Sequence, residues 1–162
     1  MTHPEYSFLQ RHLVETGDKE HAYQRGLEVE KHAEKYLGAR WIPGGYNRNG
    51  VDCIGLMIAI AFDMNLYDKS QVEVPRYSQV PSGRTMLSLI SKYLRRLPGP
   101  EFGSVVTFAQ TGTNLYHIGI IGARYFYQAA LEYKSVTKST LTEMCLQDRR
   151  VCFAFEKVRE RV

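Results

Sequence analysis

Asp52 and Cys53 stand immediately before an apolar run, in the stretch GGYNRNGVDCIGLMIAIAFDMNL from residue 44 to residue 66. From Ile54 to Leu66 the chain is apolar nearly all round until its last turn, the pattern of a helix enclosed by other elements. Asp is a good helix N-cap, so Cys53 takes the first helical position. There, unpaired backbone N–H groups and the positive end of the helix dipole favour a thiolate over a thiol. Such a sulfur is a nucleophile. Gly44, Gly45 and Gly50 let backbone pass close to it, and Gly55 leaves room for a substrate over the helix end. Backbone N–H groups at the helix start would also serve an acyl oxyanion. A cysteine opening a buried helix is often only a small packing residue, so the case for chemistry turns on a partner.

Of five histidines, His3, His12, His21 and His32 lie in the helical N-terminal part, and only His117 falls in an expected strand, YHIGII. A strand histidine is commonly half-buried and satisfied by hydrogen bonds. It is also what a thiol needs as general base, an imidazole held rigidly on an element packed against the cysteine helix. Gln128, in YFYQAAL, has the side chain for a third role, accepting the imidazole N–H to fix its tautomer. A neutral amide favours the imidazolium less than a carboxylate does, which leaves the thiolate depending on the helix end.

The elements that would position these residues are legible from periodicity. Between Asp18 and Leu37, Ala22, Gly26, Val29, Ala33 and Tyr36/Leu37 recur at spacings of three and four, which predicts an amphipathic helix stopped by Gly38. A shorter helix is expected around Glu5 to Glu15. YDKSQVEVPRYSQVPSG reads as a loop with one short edge strand at QVEV. GRTMLSLISKYLRRL reads as a helix stopped by PGP. Short β-rich runs follow, SVVTFAQ, LYHIGII, RYFYQAAL, KSVTKSTL and RRVCFAFEKV, separated by turn signals at hairpin distances. Helices followed by an antiparallel sheet make an α+β domain. We expect a single domain over residues 1–162, with 1–27 as a helical N-terminal extension.

Composition bounds the rest. With 162 residues, 44% of them hydrophobic and 12% aromatic, the chain can bury one core of ordinary size. The net charge is +4, but Lys and Arg are interleaved with 17 acidic residues, so YLRRL and DRRV read as solvated faces and no nucleic-acid partner is expected. Cys53, Cys145 and Cys152 form no CxxC and no paired spacing, which argues against a disulfide framework or a zinc knuckle. Cys145 and Cys152 read as packing residues, and no metal or organic cofactor is expected. The N-terminus lacks a basic-then-apolar signal pattern, and the longest apolar run carries Asp63 and Asn65 and is too short for a bilayer. The expectation is a chain made in the cytoplasm with no membrane partner, delivered by something else if it acts outside the cell.

LGARWIPGGYNRNGVDCIGL, from Leu37 to Leu56, resembles the nucleophile motif of the NlpC-type cell-wall peptidases, papain-like cysteine hydrolases, whose pattern is LG-x-x-Y-x-W-G-G, six positions, then D-C-S-G-L. HIGIIGARYFYQA resembles their H-V-G-I-Y-x-G and F-x-H-A block, with one residue dropped from the turn. GPEFGSVVTF is similar to their P-G-D-(I/V)-V-x-F strand. With its VPRYS loop and D-C-x-G-L lacking the serine, the chain looks most like the branch of phage tails and gene-transfer-agent clusters. The resemblance covers roughly Glu28 to Leu131. It implies a papain-like fold with the nucleophile helix packed on a mostly antiparallel sheet, Cys53 as nucleophile, His117 as base and Gln128 as the third polar residue. It further implies a substrate site about Trp41, Gly44, Gly45, Tyr46 and Asp52, and a bond in the peptidoglycan stem peptide, commonly D-γ-glutamyl to a diamino acid. Phage-tail or secretion-device proteins would be partners. Trp41 stands where the family has tyrosine, Pro43 where it has tryptophan, Ile54 for serine and Ser104 for aspartate. Three other readings use the same residues: a non-catalytic tail-assembly or wall-binding module, an amidase or acyltransferase on a non-wall substrate, and, more remotely, a metal site of Cys53, Cys145, Cys152 and His117.

Overall fold

The computed structural model describes residues 19–74, 83–109, 116–141 and 150–158. The first helix, α1 (Lys19–Tyr36), buries Ala22, Gly26, Val29, Ala33 and Tyr36 on the predicted stripe, with Arg25 among them. Beyond it Gly38, at φ +82°, turns the chain. A two-strand hairpin, β1 (Tyr46–Asn47) and β2 (Gly50–Val51), leads into α2 (Cys53–Asp63), and α3 (Gly83–Tyr93) follows. Then come β3 (Leu94–Leu97), β4 (Val105–Ala109), β5 (Tyr116–Ile121), β6 (Tyr125–Ala130), β7 (Ser135–Thr140) and β8 (Arg150–Lys157). The last six strands form one antiparallel sheet in the order β3-β8-β4-β5-β6-β7. The expected α+β class holds. The shorter helix expected around Glu5 to Glu15, the VPRYS loop beyond Val74, and Cys145 lie outside the described residues.

Alternate residues of each strand enter different clusters, as the pleat requires. Val105, Ile118, Ile120, Tyr127, Ala129, Val136, Phe153 and Phe155 pack with Ile54, Leu56, Met57 and Ile60 of α2 and with Met86 and Ile90 of α3. Val106, Ile121, Phe126, Cys152 and Ala154 pack on the other face with Leu97, Phe102 and Ala22. Cys152 is buried there, the packing role expected of it.

Two sequence expectations fail. The helix expected through Leu97 ends at Tyr93, and Leu94–Leu97 pairs instead with β8, where Leu94 and Leu97 are buried. Pro98 disfavours helix in the residue before it, and an unpaired β8 edge with two leucines to bury outweighs local helix propensity. QVEV is not a strand. Lys69–Gln71 is a 3-10 turn, held by the Asp68 N–H donating to Gln71 Oε1 at 2.8 Å.

Arg25, on the otherwise apolar face of α1, donates to Glu101 at 2.9 Å and to Glu156, and Arg95 Nε reaches the second oxygen of Glu156 at 2.7 Å. Arg25 and Glu101 are only 8% and 3% exposed, so this network ties α1 to β8, β3 and the turn before β4 at the cost of desolvation that the pairing must offset. Among the described residues no helix is long and apolar enough to cross a membrane.

Candidate active site

Asp52 caps α2 as expected. It is wholly buried, and its two oxygens divide the work: Oδ1 accepts from the Gly55 N–H and Oδ2 from the Gly44 N–H, each at 2.7 Å. Its own N–H donates to the Gly45 carbonyl at 3.2 Å. The Gly44–Gly45 turn is therefore stitched onto the first turn of the helix. A side chain at Gly55 would place its Cβ 1.6 Å from the Gly45 carbonyl oxygen, so the contact demands glycine there. The need is close backbone packing, not the room for substrate that the sequence suggests. Asp52 and Gly44 likewise act as a brace, with their polar groups turned into it.

This bracing changes the electrostatics expected of Cys53. The thiol sits half-buried at the helix start and receives the N–H groups of Ile54 and of Cys53 itself. Burial nevertheless pushes its pKa up to about 12, and the adjacent Asp52 carboxylate adds to the rise. The expected stabilisation of a thiolate by the helix end is thus overcome by desolvation and by the charge of the cap. Of the first N–H groups, that of Gly55 is occupied by Asp52, which leaves those of Cys53 and Ile54, now directed at the sulfur, to meet an oxyanion.

Trp41 is partly buried against the cluster that Cys53 also packs on, and pairs with Val51 in a parallel bridge two residues before Cys53. Tyr46 meets α2 through its ring. Its ring meets Phe62 edge-on at 6.2 Å, and Phe62 is nine residues further along α2 from Cys53, about 14 Å by helical rise. The Tyr46 backbone pairs with Val51, two residues before Cys53.

His117 is half-buried near the start of β5, opposite Phe108 of β4. Its neighbours Ile118 and Ile120 enter the cluster beneath α2, whereas Gly119 faces the Phe126 ring and Ile121 enters the second cluster. The pleat therefore gives His117 to the second face. Gln128, 8% exposed, shares it, because Tyr127 and Ala129 on either side belong to the α2 cluster. The β5–β6 pairing consists of Ile121↔Phe126 and Ile120↔Tyr127. His117 and Gln128 therefore lie on the same face of the neighbouring strands β5 and β6. It gathers Cys53, Asp52, Gly44, Gly45 and Trp41 at the helix start, against the other face. The two groups share the end of the sheet where β5 begins and β6 ends.

Sequence reasoning missed two parts of this region. One is the β1–β2 hairpin, whose turn residues Asn47, Arg48, Asn49 and Gly50 carry an Asn-Gly signal, with the Asn49 N–H donating to Asn47 Oδ1 at 2.9 Å. The other is the strip beside Trp41, where the Trp41 N–H donates to the Lys134 carbonyl at 2.9 Å and Arg40 bridges Ser135. Long-range pairing of this kind leaves no local pattern. Among the described residues, no three of His, Cys, Asp and Glu gather as metal ligands would.

No family model matches the chain, and no curated protein does. Among solved structures, the NlpC/p60 domain of the peptidoglycan hydrolase SagA superposes with a TM-score of 0.51 at 18% identity, covering 80% of this chain and 97% of that one. The chain has the papain-like α+β fold of that domain.

Proposed function

We propose that this protein is a cysteine hydrolase of peptidoglycan stem peptides. One observation carries the reading: a half-buried cysteine opens a capped helix in an NlpC/p60 fold, with a histidine at the adjoining end of the sheet. Cys53 attacks the peptide carbonyl as its proton passes to His117, the N–H groups of Cys53 and Ile54 receive the oxyanion, His117 protonates the leaving amine, and water clears the thioester. Gln128 holds the imidazole from the same face. The reading requires the His117 ring to meet the thiol where β5 begins. The bond is the one between D-γ-glutamyl and a diamino acid, and the protein reaches the wall with a phage tail or another injection device.

The raised thiol and the facing of His117 favour a second reading, a wall-binding or tail-assembly module that keeps the fold without the chemistry. One experiment separates them. The protein and a Cys53→Ala variant are incubated with peptidoglycan, and released fragments are followed by mass spectrometry. Hydrolysis predicts stem-peptide fragments from the first protein alone. No fragments, or the same fragments from both, would refute it.

A further inference from the structure

Beside the helix start lies a surface that the proposed chemistry does not use. Between β6 and β7 the chain makes a 3-10 turn, Leu131–Tyr133, closed by Lys134 in the left-handed region at φ 56°. Leu131 and Tyr133 are among the most exposed large apolar residues described, at 60% and 58%. The turn is nonetheless held firmly. The Lys134 N–H donates to the Leu131 carbonyl at 3.1 Å, the Lys134 carbonyl accepts from the Trp41 N–H at 2.9 Å, and Val136 and Gly38 extend the ladder.

This ladder fixes where the turn sits. Ser135 bridges Arg40, and Trp41 bridges Val51, two residues before Cys53. Two strand spacings of about 4.8 Å put the base of the turn on the order of 10 Å from the strand that delivers the nucleophile. On its other side, Leu131 directly follows Ala130, the last residue of β6, the strand next to the β5 that carries His117. The turn is therefore a lip on the end of the sheet where the cysteine and histidine would work.

Resting on the hydrolase reading, we propose that this lip binds the glycan strand of the wall polymer, with Tyr133 and Leu131 as the platform for a sugar ring. A convex turn that presents one aromatic ring and one aliphatic side chain between Glu132 and Lys134 matches a ligand with apolar ring faces and hydroxyl edges. An apolar peptide segment would need a continuous groove instead. Exposed Arg40 and Lys134 complement the carboxylates of the attached stem.

The test uses the full chain with Cys53→Ala, so that binding is read without turnover. Its affinity for insoluble peptidoglycan sacculi, for peptide-free glycan strands and for free stem peptide is compared with that of Leu131→Ser/Tyr133→Ala and of Tyr133→Phe, with thermal melts to confirm folding. The double variant is expected to weaken about tenfold on sacculi and on bare glycan, Tyr133→Phe to stay within about twofold, and stem-peptide affinity to stay unchanged. Unchanged binding of the double variant to sacculi overturns the proposal, as does an equal loss on free stem peptide, or self-association through the lip that the double variant abolishes. These are affinities of a chain already lacking the sulfur, so a failure of hydrolysis in the wild type leaves their outcome distinct.

Discussion

Replacing Asp52 with Asn should make Cys53 more reactive while making the protein less stable. The buried carboxylate accepts two N–H groups at 2.7 Å, from Gly55 and Gly44, and its charge raises the pKa of the neighbouring thiol. Asn keeps one acceptor and remains a good N-cap, so the Gly55 bond survives in neutral form. Its amide NH2 must then face the Gly44 N–H, donor against donor. Losing one charge-assisted bond and weakening the other amounts to about 2–4 kcal/mol. Removing the negative charge at the same time disfavours the thiolate less, so the Cys53 pKa falls from about 12. Each unit of that fall raises the thiolate fraction about tenfold at any pH below both values, and the alkylation rate about threefold once the weaker nucleophilicity of the less basic sulfur is included. The assay pairs urea denaturation with the pH dependence of iodoacetamide labelling, read by mass spectrometry on the peptide that contains Cys53. An unchanged urea midpoint, or a labelling profile that stays put or moves to higher pH, would refute the reasoning that Asp52 is a structural brace with an electrostatic cost.

The remaining predictions concern packing and pH. Gly55→Ala drives a Cβ against the Gly45 carbonyl and should cost on the order of 3 kcal/mol or more, whereas Gly38→Ala, at φ +82° with open space around it, should cost about 1 kcal/mol; urea midpoints rank the two, and equal costs would contradict the close contact. Burial tends to raise the Glu156 pKa, but Arg95 and Arg25 together hold it below the carboxylate value of 4.5, so its contribution is present above that pH and is lost as pH falls through the lower folded value; Glu156→Gln should flatten acid unfolding over that window. Cys53 runs the other way. With its folded pKa raised from 9.0 to about 12, its favourable contribution is complete below pH 9 and disappears as pH rises towards 12, so Cys53→Ala should lessen alkaline destabilisation in that range, as followed by melting temperature.

The stretches with strong local periodicity were readable from the chain itself. The α1 stripe, the enclosed α2 run and the five β-rich segments follow from apolar spacing alone, because each buries one face against a neighbour. What escaped depends on partners distant in sequence. LRRL extends a helical pattern and becomes a strand because β8 lies beside it. Arg25 belongs to the buried face because Glu101 and Glu156 come to meet it. At the site, the Asp-Cys pair and its glycines were legible, but their division of labour was not. Asp52 reads as a simple cap until Gly44 is seen on its second oxygen, and only then does its charge become a burden on the sulfur.

That burden determines which form of the chemistry is open to this fold. With burial and the Asp52 charge pushing the Cys53 pKa up to about 12, the electrostatics around the sulfur favour the protonated thiol at rest. In the proposed hydrolysis the nucleophile would then form as the proton leaves, in the same step as attack, which makes the position of the base the deciding variable. His117 belongs by the pleat to the face shared with Gln128, while Cys53 packs against the cluster under α2. In that proposal a substrate seated over Cys53 would cover the sulfur and further disfavour any free anion, so the imidazole's reach would count for more than the helix dipole. Replacing His117 by Ala should therefore abolish hydrolysis yet leave slow alkylation of Cys53 at pH 7 nearly unchanged. A parallel loss of both would mean that the imidazole already holds the thiol's proton at rest, against the electrostatics argued from Asp52.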